Sequence, residues 1–426
     1  MPITRRQFLA TASVPLFLPG LAMGANDRVN IGFIGCGRRA NQLKMPDSAT
    51  VVAACDVIRL RAERFAKDYQ AKAYKDYRDI LDCRDVDAVV IATPDHWHAP
   101  PTIHACQAGK DVFVEKPVGL TVNEGKKMVQ AARKYKRVVQ VGTQARSLHN
   151  NQLGCEIVRA GLLGKPQRAI CYLFDSGMDK VESPQAVPEG LDWDMYLGQA
   201  RRLAYNQNYL GWGAYTWFSG GEIVSTGVHS YDYIQWALGI DGAGPTEVEA
   251  MPGYFAKQYE PERDIATPEH YSSGALKVIG PREVAPGEHG YVRWTYPNGM
   301  ILEFGHVPKH GVRIYCEKGN ILIDRDRLVI RPKSLEQEIM KDREDRRTHE
   351  VAHMANFIDC VKTRQRPNAD IEIVQASTNV GHLGNIARIV GGRLRWNPET
   401  QTFVGNERAN ALLDRERRKK YDLPAI

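Results

Sequence analysis

The 426-residue chain is short of the features that would set it apart from ordinary globular proteins. No two of its eight cysteines (Cys36, Cys55, Cys83, Cys106, Cys155, Cys171, Cys316 and Cys360) form a CxxC pair, which removes the usual zinc-ribbon and thiol-redox spacings. Most lie in apolar stretches of a chain long enough to fold without staples, so they are expected to be buried free thiols. No apolar run reaches the ~20 residues needed to cross a bilayer as a helix. The formal charge is +7, but lysine and arginine alternate with aspartate and glutamate and form no basic blocks. That excludes an obvious footprint for nucleic acid or for a membrane surface. Mixed runs such as Lys341 to Arg347 read as solvated surface.

What is present begins at the N-terminus. Arg5 and Arg6 precede a weakly apolar run, Ala10 to Leu21, closed by small residues from Ala22 to Ala25. These three regions match a removable targeting peptide over residues 1–25, and the paired arginines resemble the twin-arginine signal that exports already folded proteins. Without those arginines the charge falls to +5. The mature chain is therefore expected to be periplasmic or otherwise exported by that route, with no membrane anchor. Free thiols suit a protein that folds in the reducing cytosol before it leaves. Roughly 400 residues remain, more than one core commonly supports, so two domains are expected.

From Val29 a β-rich run ends in Gly35, Cys36, Gly37, Arg38, Arg39 and Ala40, a G-x-G-x-x-A turn opening a helix. Gly35 would allow the tight turn, Gly37 the approach of a pyrophosphate, and Ala40 close helix packing. A second strand ends at Asp56, 21 residues past Gly35, where a carboxylate can hold both ribose hydroxyls of an adenosine. A third ends at Thr93 and Pro94, with helices expected over Arg59 to Tyr69 and Tyr77 to Asp82. This rhythm predicts an α/β fold with a doubly wound parallel Rossmann sheet over residues 26–146. Asp56 favours NAD, while Arg38, Arg39 and Arg59 leave NADP open.

The stretch from Ile91 to Val122 carries Thr93-Pro94, His98, Ala105, Gly109-Lys110 and Glu115-Lys116-Pro117, and here the sequence resembles the Gfo/Idh/MocA oxidoreductase family. The resemblance continues through GGEIVSTGVHSYDYIQWALG and PNADIEIVQASTNVGHLGNIA. It implies cofactor contacts from Gly35, Gly37, Arg38, Arg39, Asp56, Thr93, Pro94, His98, Glu115 and Lys116. It also implies catalysis by Lys116 and His229, and substrate contacts from Asp232, Gln144, Arg146 and Trp217. Independently of the family, a lysine ending a parallel strand points into the ligand crevice, where desolvation lowers its basicity. His229 and Asp232 lie about one turn apart on a helix expected to begin near Thr226. Many relatives carry an aspartate four residues before the histidine; this chain has Ser225, which cannot stabilise an imidazolium by charge.

After Gln144 the pattern changes. β segments around Pro166, Pro245, Tyr291 and Val312, with turns at Pro297-Asn298-Gly299 and Glu317-Lys318-Gly319-Asn320, predict a C-terminal α+β domain over 147–392 with an open mixed, largely antiparallel sheet. Residues 393–426 are expected as a tail. In the family such a sheet often packs on a second subunit, which implies a homo-oligomer. An aromatic passage holds Trp193, Tyr196, Tyr205, Tyr209, Trp212, Tyr215, Trp217 and Phe218, of which one or two are expected to touch ligand. His349-Glu350-Val351-Ala352-His353 is an HExxH match with Glu372 as a distant third ligand, but its charged surroundings favour the start of an ordinary helix, and no metal site is expected.

Two readings of function follow. One is an exported NAD(P)-dependent oxidoreductase with tightly held cofactor, moving hydride to or from a hydroxyl-bearing carbon of a sugar or cyclitol. The other is a glycoside-cleaving enzyme that oxidises the sugar, eliminates the aglycone, adds water and reduces the ring again.

Overall fold

The computed structural model describes residues 28–172, 180–251, 291–305, 307, 310–341, 343 and 351–426. The N-terminal residues 1–25, and with them the export segment, lie outside the described residues.

The first domain alternates strand and helix: β1 (Val29–Ile34), α1 (Arg38–Gln42), β2 (Ala49–Cys55), α2 (Arg59–Tyr69), β3 (Lys72–Tyr74), α3 (Tyr77–Leu81), β4 (Ala88–Ile91), α4 (Ala99–Gln107), β5 (Asp111–Val114), α5 (Val122–Lys134) and β6 (Val139–Val141). The strands run in the order β3-β2-β1-β4-β5-β6, all parallel. Strands β4 and β5 are buried on both faces, which is why they read as continuous apolar runs. The order reverses between β1 and β4, so the crevice beyond the carboxyl ends of these strands is where a doubly wound sheet takes its ligand.

The second domain contributes α6 (His149–Arg159), β7 (Pro166–Tyr172), α7 (Trp193–Leu197), α8 (Glu222–Ser225), α9 (Gly227–Leu238), β8 (Glu247–Met251), β9 (Tyr291–Thr295), β10 (Ile301–Gly305), β11 (Val312–Cys316), β12 (Asn320–Ile323), β13 (Leu328–Arg331) and α10 (Lys333–Met340). It continues with α11 (Val351–Thr363), α12 (Ile371–Val390), β14 (Gly392–Asn397), β15 (Thr402–Phe403) and α13 (Glu407–Ala411). Among the described residues its sheet has the order β13-β12-β11-β7-β10-β9-β8-β14-β15, antiparallel except for the β7–β10 pair. Side chains alternate as a half-buried sheet requires. Ala169, Leu302, Trp294, Val248 and Leu394 face a core shared with α9 and α12. The opposite face carries a register-aligned row: Arg313, Ile170, Glu303, Arg293, Glu249 and Arg393.

The domains are interlaced. Helix α11 returns to the first sheet, where Met354, Phe357 and Ile358 are buried with Phe33, Val90 and Phe113. Ala369 and Asp370 continue along the edge of β6, with Val141 N–H donating to the Ala369 carbonyl at 2.9 Å. Residues 393–426 are not a loose tail, because β14 pairs with β8 and Arg417 reaches the buried Glu124.

Candidate active site

A cavity of about 830 Å³ lies along the carboxyl edge of the parallel sheet. Its floor is the turn after β1. Gly35 has φ +88°, and a Cβ there would stand 2.9 Å from the Ala92 carbonyl, so the turn requires glycine. At Gly37 a Cβ would meet nothing within 4 Å, which leaves the backbone open to the cavity. Asp56 closes β2, its carboxylate accepting N–H bonds from Cys36 and Ile58, each at 2.8 Å. Burial pushes its acidity down, against those two bonds. Each oxygen keeps a further lone pair for a ribose hydroxyl. Arg38, Arg61 and Arg64 line the same end.

The second domain roofs this end. Gly190 accepts from Arg59 N–H and Asp192 N–H donates to Val57, both at 2.9 Å, while Leu191 bridges to Ile58. The following residues Met195, Tyr196, Leu210 and Trp212 line the cavity. Trp97 Nε1 donates to Met195 O at 2.9 Å, and Arg418, Lys420 and Tyr421 converge on Asp194. The passage from 190 to 212 is thus a strap, anchored on both domains, across the adenosine half of the groove.

At the other end, Lys116 follows β5 and donates from Nζ to the Ser225 carbonyl at 2.8 Å. Burial lowers its pKa, opposed by the negative charges of Asp95 and Glu115. His229, in the first turn of α9, is 3% exposed. Burial pushes it well below the ordinary histidine range, reinforced by the charges of Lys116, Arg325, His310 and Arg39. Lys116 thus lies close enough for its charge to act on His229, and its bond to Ser225 ties it to the segment leading into α9. Arg325 Nη2 lies 3.4 Å from His229 Nε2, and the His310 ring stands perpendicular to that of His229 with centroids 5.4 Å apart.

Several expected residues serve these groups at one remove. Glu115 holds Arg39 at 2.7 Å and receives Gln144 Nε2 at 3.4 Å, tying the start of α1 to the end of β5. Thr93 and Pro94 line the cavity, as expected, but His98 sits behind them with its ring nitrogens 2.8 and 3.1 Å from the Pro117 and Thr93 carbonyls. It braces the loop and does not line the cavity. Asp232, expected on substrate, is 2% exposed and bound to Arg146 at 2.7 and 2.9 Å and to Ser377 Oγ at 2.8 Å. Arg146 in turn holds Asp241 at 2.7 Å, so the two expected substrate contacts neutralise each other inside the protein. Trp217 packs among Tyr209 and Tyr215, while Tyr196 and Trp212 of the same passage reach the cavity. His353 of the HExxH match bonds Ser147 Oγ at 2.8 Å and Val141 O at 2.9 Å, which occupies both ring nitrogens. His349 and Glu350 lie outside the described residues. Among the described residues no cluster able to hold a metal occurs.

Sequence reasoning passed over Asp95. It is 1% exposed, lines the cavity, and accepts from Ser219 Oγ at 2.8 Å on one oxygen. Its other oxygen, like Thr93 Oγ1, is buried with no hydrogen-bond partner among the described residues. Burial pushes Asp95 up to about 6, with the charges of His98 and Lys116 opposing. The HWH run beside it drew attention away, although a carboxylate directly after the Thr-Pro strand end was a usable signal. Unpartnered polar atoms on the lining, an open Gly37 and the ribose-side Asp56 together fit a dinucleotide.

Comparison with known proteins agrees. Residues 29–143 match the model of an oxidoreductase family with an NAD-binding Rossmann fold, and residues 150–260 and 335–423 match that family's C-terminal alpha/beta domain. The chain is 31% identical over 167 residues to an inositol 2-dehydrogenase of Salmonella typhimurium, covering 38% of this chain and 50% of that one. It is 32% identical over 160 residues to a glycosyl hydrolase family 109 protein of a Shewanella species, covering 34% and 35%. The matched part thus spans half or less of these relatives. Among solved structures, the aldose-aldose oxidoreductase of Caulobacter crescentus shares the fold at TM-score 0.59 and 18% identity, over 86% of this chain and 99% of that one. The WlbA dehydrogenase of Bordetella pertussis, solved with NADH and UDP-GlcNAcA, does so at 0.61 and 18%, over 87% and 98%. Two matched domains, the glycine turn with its Asp56, and the Glu115-Lys116-Pro117 strand end lead to one assignment: this chain belongs to the Gfo/Idh/MocA oxidoreductase family.

Proposed function

We propose that the protein is an exported, NAD-dependent carbohydrate oxidoreductase that keeps its cofactor through each turnover and acts on a hydroxyl-bearing carbon of a sugar or cyclitol. The observation that carries this reading is that Lys116, on the cavity lining, bonds the Ser225 carbonyl and acts by its charge on His229, while the other end of the cavity is strapped. NAD, when bound, supplies the hydride acceptor. Lys116 Nζ, fixed by the Ser225 carbonyl, hydrogen-bonds the substrate hydroxyl and favours its alkoxide. His229, held neutral, takes the hydroxyl proton. Asp95 counters the positive charge that gathers around Lys116.

The strap supports tight retention, since release of the dinucleotide would require Leu191 to leave Ile58 and the Tyr196 and Trp212 rings to move. Retention in turn supports export through the twin-arginine route, because free NAD is scarce outside the cytoplasm. The eight cysteines carry no disulfide, as folding in a reducing compartment would leave them. The open sheet face, with its row of arginines and glutamates, is the surface through which a homo-oligomer would form.

The replacement of the usual carboxylate by Ser225, with glycosyl hydrolase family 109 proteins among the relatives, favours glycoside cleavage as the second reading. One experiment separates the two. Purified protein is checked for copurifying NAD and offered sugars and aryl glycosides without an external acceptor. Stoichiometric oxidation of one sugar with reduction of another supports the first reading; net release of the aglycone supports the second; protein unable to take up NAD rejects both.

A further inference from the structure

The turn between β12 and β13, Asp324 to Arg327, brings the Arg325 guanidinium within 3.4 Å of His229 Nε2. Within that turn Asp324 is fully engaged: it pairs with Arg327 at 2.9 Å and accepts the N–H groups of Asp326 and Arg327 at 2.8 Å. Arg325 is exposed and forms no ion pair with a described residue; among the described residues its hydrogen-bond contact is with His229. The acids that might have balanced it are committed elsewhere. Glu115 holds Arg39, Asp232 holds Arg146, and Asp95 accepts from Ser219. The charges of Lys116, Arg325 and His310 therefore act together on His229, and among the described residues no carboxylate pairs with Arg325.

Such an arrangement works against a base unless something restores the balance. A guanidinium N–H donating to Nε2 occupies the lone pair that must receive the hydroxyl proton, and its charge makes the imidazole a weaker base. An anion on the substrate reverses both effects, because it draws the guanidinium off the imidazole and neutralises it. A planar guanidinium is suited to carboxylate or phosphate oxygens through paired N–H bonds.

Building on the proposed sugar oxidoreductase, we propose that Arg325 is a substrate-binding residue that reads an anionic group, carboxylate or phosphate, on the sugar close to the reacting carbon, so that the enzyme prefers acidic sugars. Engaging that anion frees His229 Nε2, and the proton-accepting step becomes available only when an acidic substrate is seated.

The test uses the full-length NAD-loaded protein and three ligand arms: neutral hexoses, the corresponding hexuronates and the corresponding hexose phosphates. Binding is followed by calorimetry and turnover by reduction of the bound cofactor. One acidic arm is expected to bind at least about tenfold more tightly than its neutral parent, as a charge-assisted pair implies. Arg325→Gln should bring that preference to within twofold and, by freeing His229 Nε2, raise turnover of the neutral arm, and Arg325→Lys should keep part of the preference. The arm that responds distinguishes a carboxylate from a phosphate. Equal binding of neutral and acidic sugars, or a preference that survives in Arg325→Gln, overturns the inference while leaving the oxidoreductase reading standing if neutral sugars are oxidised. Failure of every arm to reduce bound NAD overturns both.

Discussion

The two halves of the cleft are built from different material. The adenosine half has Asp56 and the arginines Arg38, Arg61 and Arg64 on its lining but is roofed by aromatic and aliphatic side chains and stitched by backbone hydrogen bonds at Gly190 and Asp192. The half proposed for substrate has the charged groups Lys116 and Asp95 on its lining, and near Lys116 lies His229 in contact with Arg325 of a hairpin turn. Apolar contact and main-chain pairing resist opening, whereas an exposed side chain on a turn can swing at little cost. The difference separates a part that holds from a part that turns over.

The largest effect should come from the substrate half. Lys116→Met is expected to lower kcat by about 10²- to 10⁴-fold, the usual range for a positioned proton-transfer group, while bound NAD survives gel filtration. If cofactor is lost together with activity, the two halves are not separable. Next comes Trp212→Ala, which should speed release of NAD by about 10- to 100-fold, the equivalent of losing roughly 1.5–3 kcal/mol of apolar burial. Dialysis of the loaded protein followed by assay of retained nucleotide reads this, and unchanged retention would remove the strap from the account.

Asp95→Asn sharpens the contrast because it should move activity and stability in opposite directions. Asp95 ionises near 6 in the folded protein against about 4 in the unfolded chain. A raised acid destabilises the fold as its charge appears, so this penalty grows as pH rises from about 4 to 6 and is complete above that. The variant should therefore be more stable at pH 7.5 by on the order of 1–3 kcal/mol, measured by denaturant titration of the cofactor-free protein. Sugar oxidation by the unaltered enzyme should fall on acidification through about pH 6, as the charge opposing Lys116 disappears. Asp95→Asn should lose that limb and turn over about tenfold more slowly, marking Asp95 as a positioning residue for Lys116. A variant that keeps the acid limb would place its origin elsewhere. The smallest effect belongs to Trp217→Phe, expected to leave KM within about twofold because the ring packs on Tyr209 and Tyr215 and does not line the cavity.

Much of the holding half could be read in the sequence because its signals are local. The Gly35-x-Gly37 turn, Asp56 at its fixed interval and the β-α rhythm are each set by neighbours in the chain. The strap was visible only as a dense run of aromatics; which rings line the cavity depends on Leu191 meeting Ile58 across 133 residues. In the half proposed for substrate, position in the fold was legible where a strand end or helix turn set it, as for Lys116 after β5 and His229 in the first turn of α9. It was misread where a distant partner decided the outcome. Asp232 looked like a sugar ligand until Arg146, 86 residues away, was found bonded to it. Arg325 had no local signal, since one arginine in a charged hairpin turn resembles any other.

The path of α11 has a consequence for how the protein comes to exist. A boundary near residue 146 describes shape, but Met354, Phe357 and Ile358 complete the hydrophobic cover of the first sheet. Each such side chain contributes about 1.5–3 kcal/mol when buried, a large share of the marginal stability of a domain. A fragment ended at the boundary would expose an oily flank and clump, and the emerging polypeptide must wait for its later half before the earlier one can settle.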